Sequence, residues 1–232
     1  MRIVLLGPPG AGKGTQAQRL AALIGARHIP VGEIVRSEIA AGTPLGNQIR
    51  EYNDQGELVP DDLIVQLLLP IVVNERSWVL DGFPRTCGQA DALDAILTET
   101  RTALDAVVAL DIPDDLVIAR LSGRLQSQAT GRIYHTLDNP PPADDPGPFV
   151  RRADDTPEHI ARRLEVYHAE SEPLEAYYAE RGLLRQIDAT GSIDAVTAAI
   201  ISALQPPASN TPARKDATGD QTAQKRASDE VT

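Results

Sequence analysis

A glycine-rich loop between an apolar strand and a helical pattern constrains the fold of this chain more than any other segment. Residues 7–15 read Gly-Pro-Pro-Gly-Ala-Gly-Lys-Gly-Thr; the apolar run 2–6 precedes them, and apolar residues at helical spacing follow until Gly25. Glycines let the backbone turn tightly and direct successive N–H groups inward, and the helix N-terminus adds partial positive charge. In this context Lys13 is placed to reach the β and γ phosphates of a nucleotide. The residues predicted to hold those phosphates are Gly10, Ala11, Gly12, Lys13, Gly14 and Thr15.

Short apolar runs alternate with helical patterns along most of the chain. The predicted strands are 2–6, 27–29, 78–80, 106–110 and 184–187. The predicted helices are 17–24, 32–41, 44–55, 61–73, 88–97, 114–125, 157–180 and 192–204, with Asp61 as the N-cap of the fourth. This alternation predicts an α/β fold in which helices cover both sides of a parallel sheet.

Two segments interrupt the alternation. Residues 126–149 are rich in Pro, Asp and Gly, and a connection of that length inside a compact domain is either disordered or a functional lid. Residues 205–232 are polar and have no apolar periodicity, so they are predicted to form a disordered tail.

Composition and charge exclude several classes of function and of site. The net charge of −11 argues against broad adhesion to nucleic acid or anionic membranes, so an anionic ligand must be held by local Lys and Arg groups. The single cysteine, Cys87, excludes a disulfide framework and a cysteine-based zinc site within one chain. No stretch approaches the roughly 18–20 apolar residues of a membrane span, and no signal peptide is predicted because glycines and prolines follow the first apolar run. The predicted location is the cytoplasm.

Taken with the loop, four further segments resemble adenylate kinases. They are Asp81-Gly82-Phe83-Pro84-Arg85, Gly56-Glu57-Leu58-Val59-Pro60-Asp61, Thr130-Gly131-Arg132-Ile133-Tyr134-His135, and Arg152-Ala153-Asp154-Asp155 with Arg162-Arg163-Leu164, in the family's order over residues 1–204. The resemblance implies a P-loop fold with a five-stranded core (1–29, 60–120, 159–204), an AMP-binding insertion (30–59) and a lid (121–158). It also implies a monomer that transfers a phosphoryl group between Mg²⁺-bound ATP and AMP, with neither nucleic acid nor membrane as a partner.

The resemblance further implies roles for individual residues. Phosphoryl transfer develops negative charge on phosphate oxygens, which the planar fork of arginine suits well. The residues implied to act in the transfer are Lys13, Arg85, Arg124, Arg152 and Arg163. Those implied to bind ATP are the loop residues already named together with Arg120, Arg124, Ile133, Tyr134 and Gly191. Those implied to bind AMP are Val31, Arg36, Glu57, Leu58, Val59, Gly82, Phe83, Pro84, Arg85, Gln89, Arg152 and Arg163. Asp81 is expected to hold Mg²⁺ through bound waters.

The chain departs from the family pattern beside the expected acceptor base. Where the family usually reads Ser-Thr-Gly-Asp, residues 30–33 are Pro-Val-Gly-Glu, so Val31 brings no hydroxyl to the base. A site that lacks its polar group can lose selectivity. A kinase for another nucleoside monophosphate therefore remains an alternative, although the long lid favours AMP. A non-catalytic nucleotide-binding protein is a second alternative, against which the intact Lys13, Asp81 and arginine set argue.

The lid departs as well, because it contains no cysteine and the zinc form of the family is therefore excluded. Some members hold the lid by side-chain hydrogen bonds instead. Here Ser127, Thr130 and the region of Asp154 and Asp155 are predicted to form a partial network of this kind.

Overall fold

A five-stranded parallel sheet forms the centre of the structure, a computed structural model that describes residues 1–55, 57–137 and 139–205. Its strands are β1 (Arg2–Leu6), β2 (Arg27–Pro30), β3 (Trp78–Asp81), β4 (Ala106–Asp111) and, last in the chain, β8 (Leu184–Asp188). The strand order is β2-β3-β1-β4-β8. The predicted strands and the α/β class are confirmed, with ends that differ by a residue or two.

Helices cover both faces of this sheet. They are α1 (Lys13–Ile24), α2 (Val31–Ala41), α3 (Pro44–Gln55), α4 (Asp61–Asn74), α5 (Cys87–Glu99), α6 (Asp114–Ser122), α7 (Pro157–Val166), α8 (Pro173–Glu180) and α9 (Ile193–Leu204). No helix among the described residues is long and apolar enough to cross a membrane.

Alternate residues of β1 enter two separate apolar clusters, one on each face of the sheet. Val4 packs with side chains from α2 to α5 and α8, whereas Ile3 packs with side chains from α1, α6, α7 and α9. Both residues are fully buried. Because successive side chains of a strand point to opposite faces, an uninterrupted apolar strand contributes to both clusters. The glycine-rich loop begins at the carboxyl end of this central strand.

The segment predicted to be a lid, residues 121–158 and called the lid below, contains a second, smaller sheet that was not predicted from the sequence. Three short antiparallel strands, β5 (Arg124–Ser127), β6 (Ile133–His135) and β7 (Phe149–Val150), lie in the order β6-β5-β7. The helix predicted over 114–125 is therefore wrong in its last turn, since α6 ends at Ser122. A Cβ atom on Gly123 would lie 2.0 Å from Nε2 of His135. Glycine at this position thus allows β6 to fold back closely against the end of α6.

The long helix predicted over 157–180 is also interrupted. A π-helical turn at Tyr167–Ser171 separates α7 from α8, and the N–H of Glu172 donates to the carbonyl of Tyr167 at 2.9 Å. Pro173 has no N–H to continue an α-helical pattern, and π turns of this kind occur as single-turn insertions in α-helices.

The predicted N-cap of α4 was assigned to the wrong residue. Pro60 occupies the N-cap position and its carbonyl accepts from the N–H groups of Leu63 and Ile64. Asp61 is the first helical residue, and its carboxylate accepts weakly from the hydroxyl of Thr86 at 3.3 Å. Residues 206–232 of the predicted tail, together with Gly56 and Asp138, lie outside the described residues.

Candidate active site

The glycine-rich loop connects the end of β1 to the start of α1 at the carboxyl edge of the sheet. Gly10 and Gly12 adopt φ angles of 83° and 94°, a left-handed backbone conformation that residues other than glycine rarely adopt. The side chain of Lys13 folds back into the loop, where its Nζ donates to the carbonyls of Gly7 at 2.6 Å and Pro8 at 2.8 Å. The loop therefore holds a lysine at its own centre, beside the N-terminus of α1.

Charged groups from three other segments act on Lys13. Desolvation lowers the pKa of Lys13 from 10.5 to about 8; the charge of Asp81 opposes this shift, and the charges of Arg85, Arg163 and Arg124 add to it. The structure thus brings four of the five residues predicted for phosphoryl transfer into one electrostatic environment. Such a concentration of cations favours a polyanionic ligand.

Asp81 ends β3 next to the loop. A Cβ atom on Gly14 would lie 3.3 Å from Oδ2 of Asp81, so the carboxylate faces the first turn of α1, which also carries Thr15. The nearest basic group is Nε2 of His28 at 4.0 Å, and the carboxylate accepts no hydrogen bond from the described residues. A single carboxylate with free lone pairs beside a phosphate loop suits Mg²⁺, which keeps most of its waters and shares itself between a carboxylate and phosphates.

Two lid-side arginines are held by carboxylates that adjoin each other in the chain. Arg124 donates from Nε and Nη2 to the two oxygens of Asp155, whose side chain is 1% exposed. Arg163 donates to Asp154 at 3.1 Å. Desolvation would raise the pKa of Asp154, but the charges of Arg163 and Arg124 outweigh it and lower that pKa. Both guanidinium groups are therefore positioned before any ligand arrives.

Arg152 lies between the lid and the helices that follow β2. Its Nε donates to Oε1 of Gln126 at 2.9 Å, and its Nη2 is 3.9 Å from Oε1 of Glu33 on α2. Desolvation lowers the pKa of Arg152 to about 10, and the neighbouring positive charges of Arg124 and Arg36 contribute to that shift. Arg152 therefore shares an electrostatic environment with the predicted acceptor-site residue Arg36.

The predicted acceptor site is formed by the starts of α2 and α5 and the turn between β3 and α5. Val31 is the first residue of α2 and is buried, and its Cβ is 4.0 Å from where a Cβ of Gly82 would lie. Nε of Arg85 donates to the carbonyl of Gly82 at 2.8 Å. Phe83 and Pro84 are buried behind this turn. These residues occur together, as the resemblance implies.

The orientation of the Gln89 side chain follows from one hydrogen bond. The backbone N–H of Arg85 lies 2.8 Å from the amide group of Gln89 and can only donate, so the atom that it meets is the oxygen Oε1. The NH₂ group of Gln89 has no hydrogen-bond acceptor among the described residues. It is therefore available as a donor to a ligand.

The other residues predicted to bind ATP are less closely grouped. Nη2 of Arg120 donates to the carbonyl of Ala189 at 2.9 Å, which fixes that arginine beside the loop that contains Gly191. Ile133 and Tyr134 lie on β6 in the lid, and the hydroxyl of Tyr134 donates to Asp145 at 2.8 Å. The side chain of Tyr134 thus belongs to the interior of the lid.

A buried carboxylate at the centre of the lid corrects the predicted hydrogen-bond network. Asp145 accepts from the hydroxyls of Ser127 at 2.7 Å, Thr130 at 2.8 Å and Tyr134, and from the N–H of Gly147 at 3.0 Å. Ser127 and Thr130 were predicted correctly. The assignment of Asp154 and Asp155 to this network was wrong, because both lie beside Arg124 and Arg163 instead. Burial would raise the pKa of Asp145, but the four hydrogen bonds outweigh it and lower that pKa well below its usual range.

Comparison with known proteins supports the resemblance to adenylate kinases independently of the site geometry. The profile of a family described as adenylate kinase matches residues 5–183. An adenylate kinase of Methanosarcina acetivorans is 44% identical over 208 residues, covering 84% of this chain and 94% of the relative. Those of Salinibacter ruber and Carboxydothermus hydrogenoformans are 45% and 41% identical over 207 and 213 residues, each covering 88% of this chain and 98% and 100% of the relative.

Proposed function

The chain belongs to the adenylate kinase family, and from this premise we propose how its own residues perform the family's reaction, ATP + AMP = 2 ADP. The proposal depends above all on one observation. The charges of Arg85, Arg124 and Arg163 all act on Lys13, so cations from separate parts of the chain surround the phosphate loop. A transfer from ATP to AMP brings four phosphates together, three from ATP and one from AMP, and a concentration of cations suits such a polyanionic ligand.

In the proposed reaction an oxygen of the AMP phosphate attacks the γ phosphorus of ATP. A bond forms between these two atoms while the bond from the γ phosphorus to the β–γ bridging oxygen breaks, and the electron pair stays on the departing ADP. No general base is needed, because the attacking phosphate oxygen is already an anion. The protein contributes positioning and fixed positive charge.

Lys13 and the loop N–H groups hold the β and γ phosphates of ATP in this proposal. Arg124 and Arg163 approach the transferred group from the lid side, and Arg85, with Arg36, holds the AMP phosphate. Asp154 and Asp155 act as positioning residues, because they fix the two lid-side guanidinium groups before the substrates bind. Such preorganisation avoids a reorganisation cost at the moment of reaction.

Mg²⁺ belongs to the same proposal. When bound, it would neutralise part of the charge on the β and γ phosphates, and Asp81 would hold it through coordinated waters. The support is the position of the Asp81 carboxylate against the first turn of α1, with no hydrogen bond from the described residues.

AMP is the proposed acceptor because the NH₂ group of Gln89 has no acceptor among the described residues and, as a donor, suits the N1 acceptor of adenine. A single hydrogen-bond donor discriminates weakly among bases, and Val31 supplies no hydroxyl to the base. The second candidate function is therefore a kinase that accepts several nucleoside monophosphates. A coupled assay with Mg²⁺-ATP and each of AMP, GMP, CMP, UMP and dAMP tests both. Turnover with AMP well above the rest supports the proposal; equal turnover with several acceptors supports the second candidate; no turnover with any of them contradicts both.

We also propose that the insertion 30–59 and the lid 121–158 move against the core, and that the protein is a cytoplasmic monomer. Among the described residues, the lid strands β5, β6 and β7 form a sheet of their own and none of them pairs with a strand of the five-stranded sheet, which supports a separately moving unit. Light scattering of the purified protein, with and without nucleotides, tests the oligomeric state.

A further inference from the structure

The segment that follows α3 is joined to α7 by an ion pair across a cleft. Nη2 of Arg162 on α7 lies 2.5 Å from Oε1 of Glu57. A cleft of about 530 Å³ separates the strap, defined here as residues 57–59, from α7 and the π-helical turn, and Val166 and Glu170 are among its lining residues. Open space lies between the two segments beside Glu57, whereas Val59, at the other end of the strap, packs against the apolar cluster that contains Val4. The ion pair bridges the cleft at Glu57.

A second contact joins the same two parts of the chain. Nε2 of His159 on α7 lies 3.4 Å from the carbonyl of Asp54 in the last turn of α3. The N–H of Glu57 donates to the carbonyl of Tyr52 at 3.0 Å, so the strap is tied to the end of α3 through its backbone. A displacement of Glu57 therefore displaces the end of the helical insertion with it.

Arg162 has a competing partner on its own helix. Oε2 of Glu165 lies 3.2 Å from Nη1 of Arg162, one turn further along α7. If the strap moves away, Arg162 keeps this partner, whereas Glu57 loses the one ion pair that it has among the described residues and is left to solvent. The half-exposed pair between Glu57 and Arg162 is a contact of about 0.2–1 kcal/mol, so losing it would release the Glu57 end of the strap at a small cost.

The positive charges of Arg36 and Arg152 indicate that the acceptor binds when the strap is paired with α7. With the pair formed, Arg36 of the insertion lies close enough to Arg152 to lower its pKa, so two cations repel each other across the site. An anionic phosphate between them would remove that repulsion. The pair between Glu57 and Arg162 attracts the insertion towards the same position in which those cations come together.

We propose that Glu57 and Arg162 are positioning residues that set the affinity for the acceptor nucleoside monophosphate by holding the strap in its binding position. The inference rests on the proposed function, in which Leu58 and Val59 of the strap line the acceptor site. Neither charged side chain touches the reacting phosphates. The ion pair therefore acts on acceptor binding and leaves the chemical step unchanged.

The test is steady-state kinetics of Glu57→Gln, Arg162→Gln and the charge swap Glu57→Arg with Arg162→Glu. Each single substitution is expected to raise KM for AMP roughly two- to fivefold, the range of a half-exposed ion pair, with KM for ATP within about twofold of the parent. For Arg162→Gln, which removes no residue named for the AMP site, kcat is also expected to stay within about twofold of the parent. The charge swap is expected to return KM for AMP towards the parent value. Glu165→Gln, which removes the competing partner, is expected to lower it. Isothermal titration of AMP into each variant gives the same affinities without turnover.

Glu75→Gln is the matched control, because Glu75 forms an equally short and similarly exposed pair with Arg27 at 2.5 Å, away from the site. The inference is overturned if Glu57→Gln leaves KM for AMP unchanged, if Glu75→Gln raises it equally, or if the charge swap is no better than the single variants. A parent protein that does not phosphorylate AMP would instead contradict the proposed function. The two failures are therefore distinguishable.

Discussion

Arg124 donates from two of its guanidinium nitrogens to the carboxylate of Asp155, and that carboxylate is 1% exposed. The pair joins β5, on the entry side of the lid, to the segment just before α7, on its exit side. A charge-assisted, two-pronged contact of this kind fixes the plane of the guanidinium group as well as its position. It explains how an arginine proposed to act on the transferred phosphoryl group is oriented before ATP binds.

Replacing Asp155 by Asn is expected to destabilise the protein by about 3 kcal/mol, because it leaves the Arg124 charge without its buried partner. Urea denaturation measures the change. Asp154→Asn is the matched control, since the Asp154 side chain is 38% exposed and loses only a partly exposed pair of at most about 1 kcal/mol. Equal destabilisation by both substitutions would contradict the account of Asp155.

Lys13→Ala is expected to lower kcat by about 100- to 1000-fold, the usual effect of removing one fixed electrostatic donor from a transition state. The thermal melting curve should stay close to that of the parent, because the hydrogen bonds of the Lys13 side chain within the described part of the chain are two bonds to carbonyls of its own loop. Turnover near the parent value would contradict the assignment of the phosphate loop.

The lowered pKa of Lys13 predicts a pH dependence of ATP capture. Below about pH 8 the side chain of the free enzyme is charged and attracts the polyphosphate; above it the neutral amine does not. With enough Mg²⁺ present for all of the ATP to carry the metal, kcat/KM for ATP is expected to fall about tenfold for each pH unit above the pKa of Lys13. Bound phosphates raise that pKa, so kcat should fall only at higher pH. A kcat/KM that stays constant from about pH 7 to 10 would refute this explanation.

Asp145→Asn is expected to loosen the lid, because the amide cannot accept from all four donors that the carboxylate serves. Proteolytic cleavage within the lid should become roughly 5- to 30-fold faster, which limited trypsin or subtilisin digestion measures. Asp144→Asn, at the exposed neighbouring position, provides the control. Since the native pKa of Asp145 is lowered, its contribution to stability is complete above the ordinary aspartate pKa of 3.8 and is lost as the pH falls below it. A lid equally resistant in both variants would show that the network is dispensable.

Val31→Thr is expected to sharpen acceptor preference, because it places a hydroxyl beside Gly82 and the acceptor site without a change in volume. One added hydrogen bond should lower KM for AMP by roughly two- to tenfold relative to the other monophosphates. Val35→Thr, one turn further along α2 and also buried, should cost stability without altering the preference. An unchanged ratio of AMP to CMP and UMP turnover in Val31→Thr would rule out the hydroxyl as the determinant.

The core of the fold could be predicted because its signals are local. The apolar run of β1 and the glycines that follow it determine a strand, a loop and a helix whatever the rest of the chain does. The lid was harder to predict. Leu125 continues the helical spacing of Leu121, but Gly123 is the C-cap of α6 and was a local signal for the end of that helix. The pairing of Arg124 with His135 on β6 had no such local signal.

The partners of the acidic residues could not be predicted from spacing. Asp145 and Asp155 are both carboxylates that follow Pro- and Asp-rich sequence, yet one faces hydroxyls and the other faces arginines. Which one meets Ser127 depends on how β5 and β7 pair, and no local pattern records that pairing. The same limit applies to Glu57 and Arg162, which are 105 residues apart in the chain. The interruption at Tyr167–Ser171 did have a local signal, since Pro173 lies inside the predicted helix.

The strand order has a consequence for biosynthesis. Of the described strands, β1 is made before its partners, and it lies at the middle of the sheet, where it pairs with β3 from Trp78 onward and with β4 from Ala106 onward. Until both partners have left the ribosome, a strand whose side chains are destined for full burial has no sheet to join. Non-local pairing of this kind slows folding and prolongs the exposure of apolar edges. The nascent N-terminal segment, rather than the finished enzyme, is thus where this chain most needs protection from aggregation.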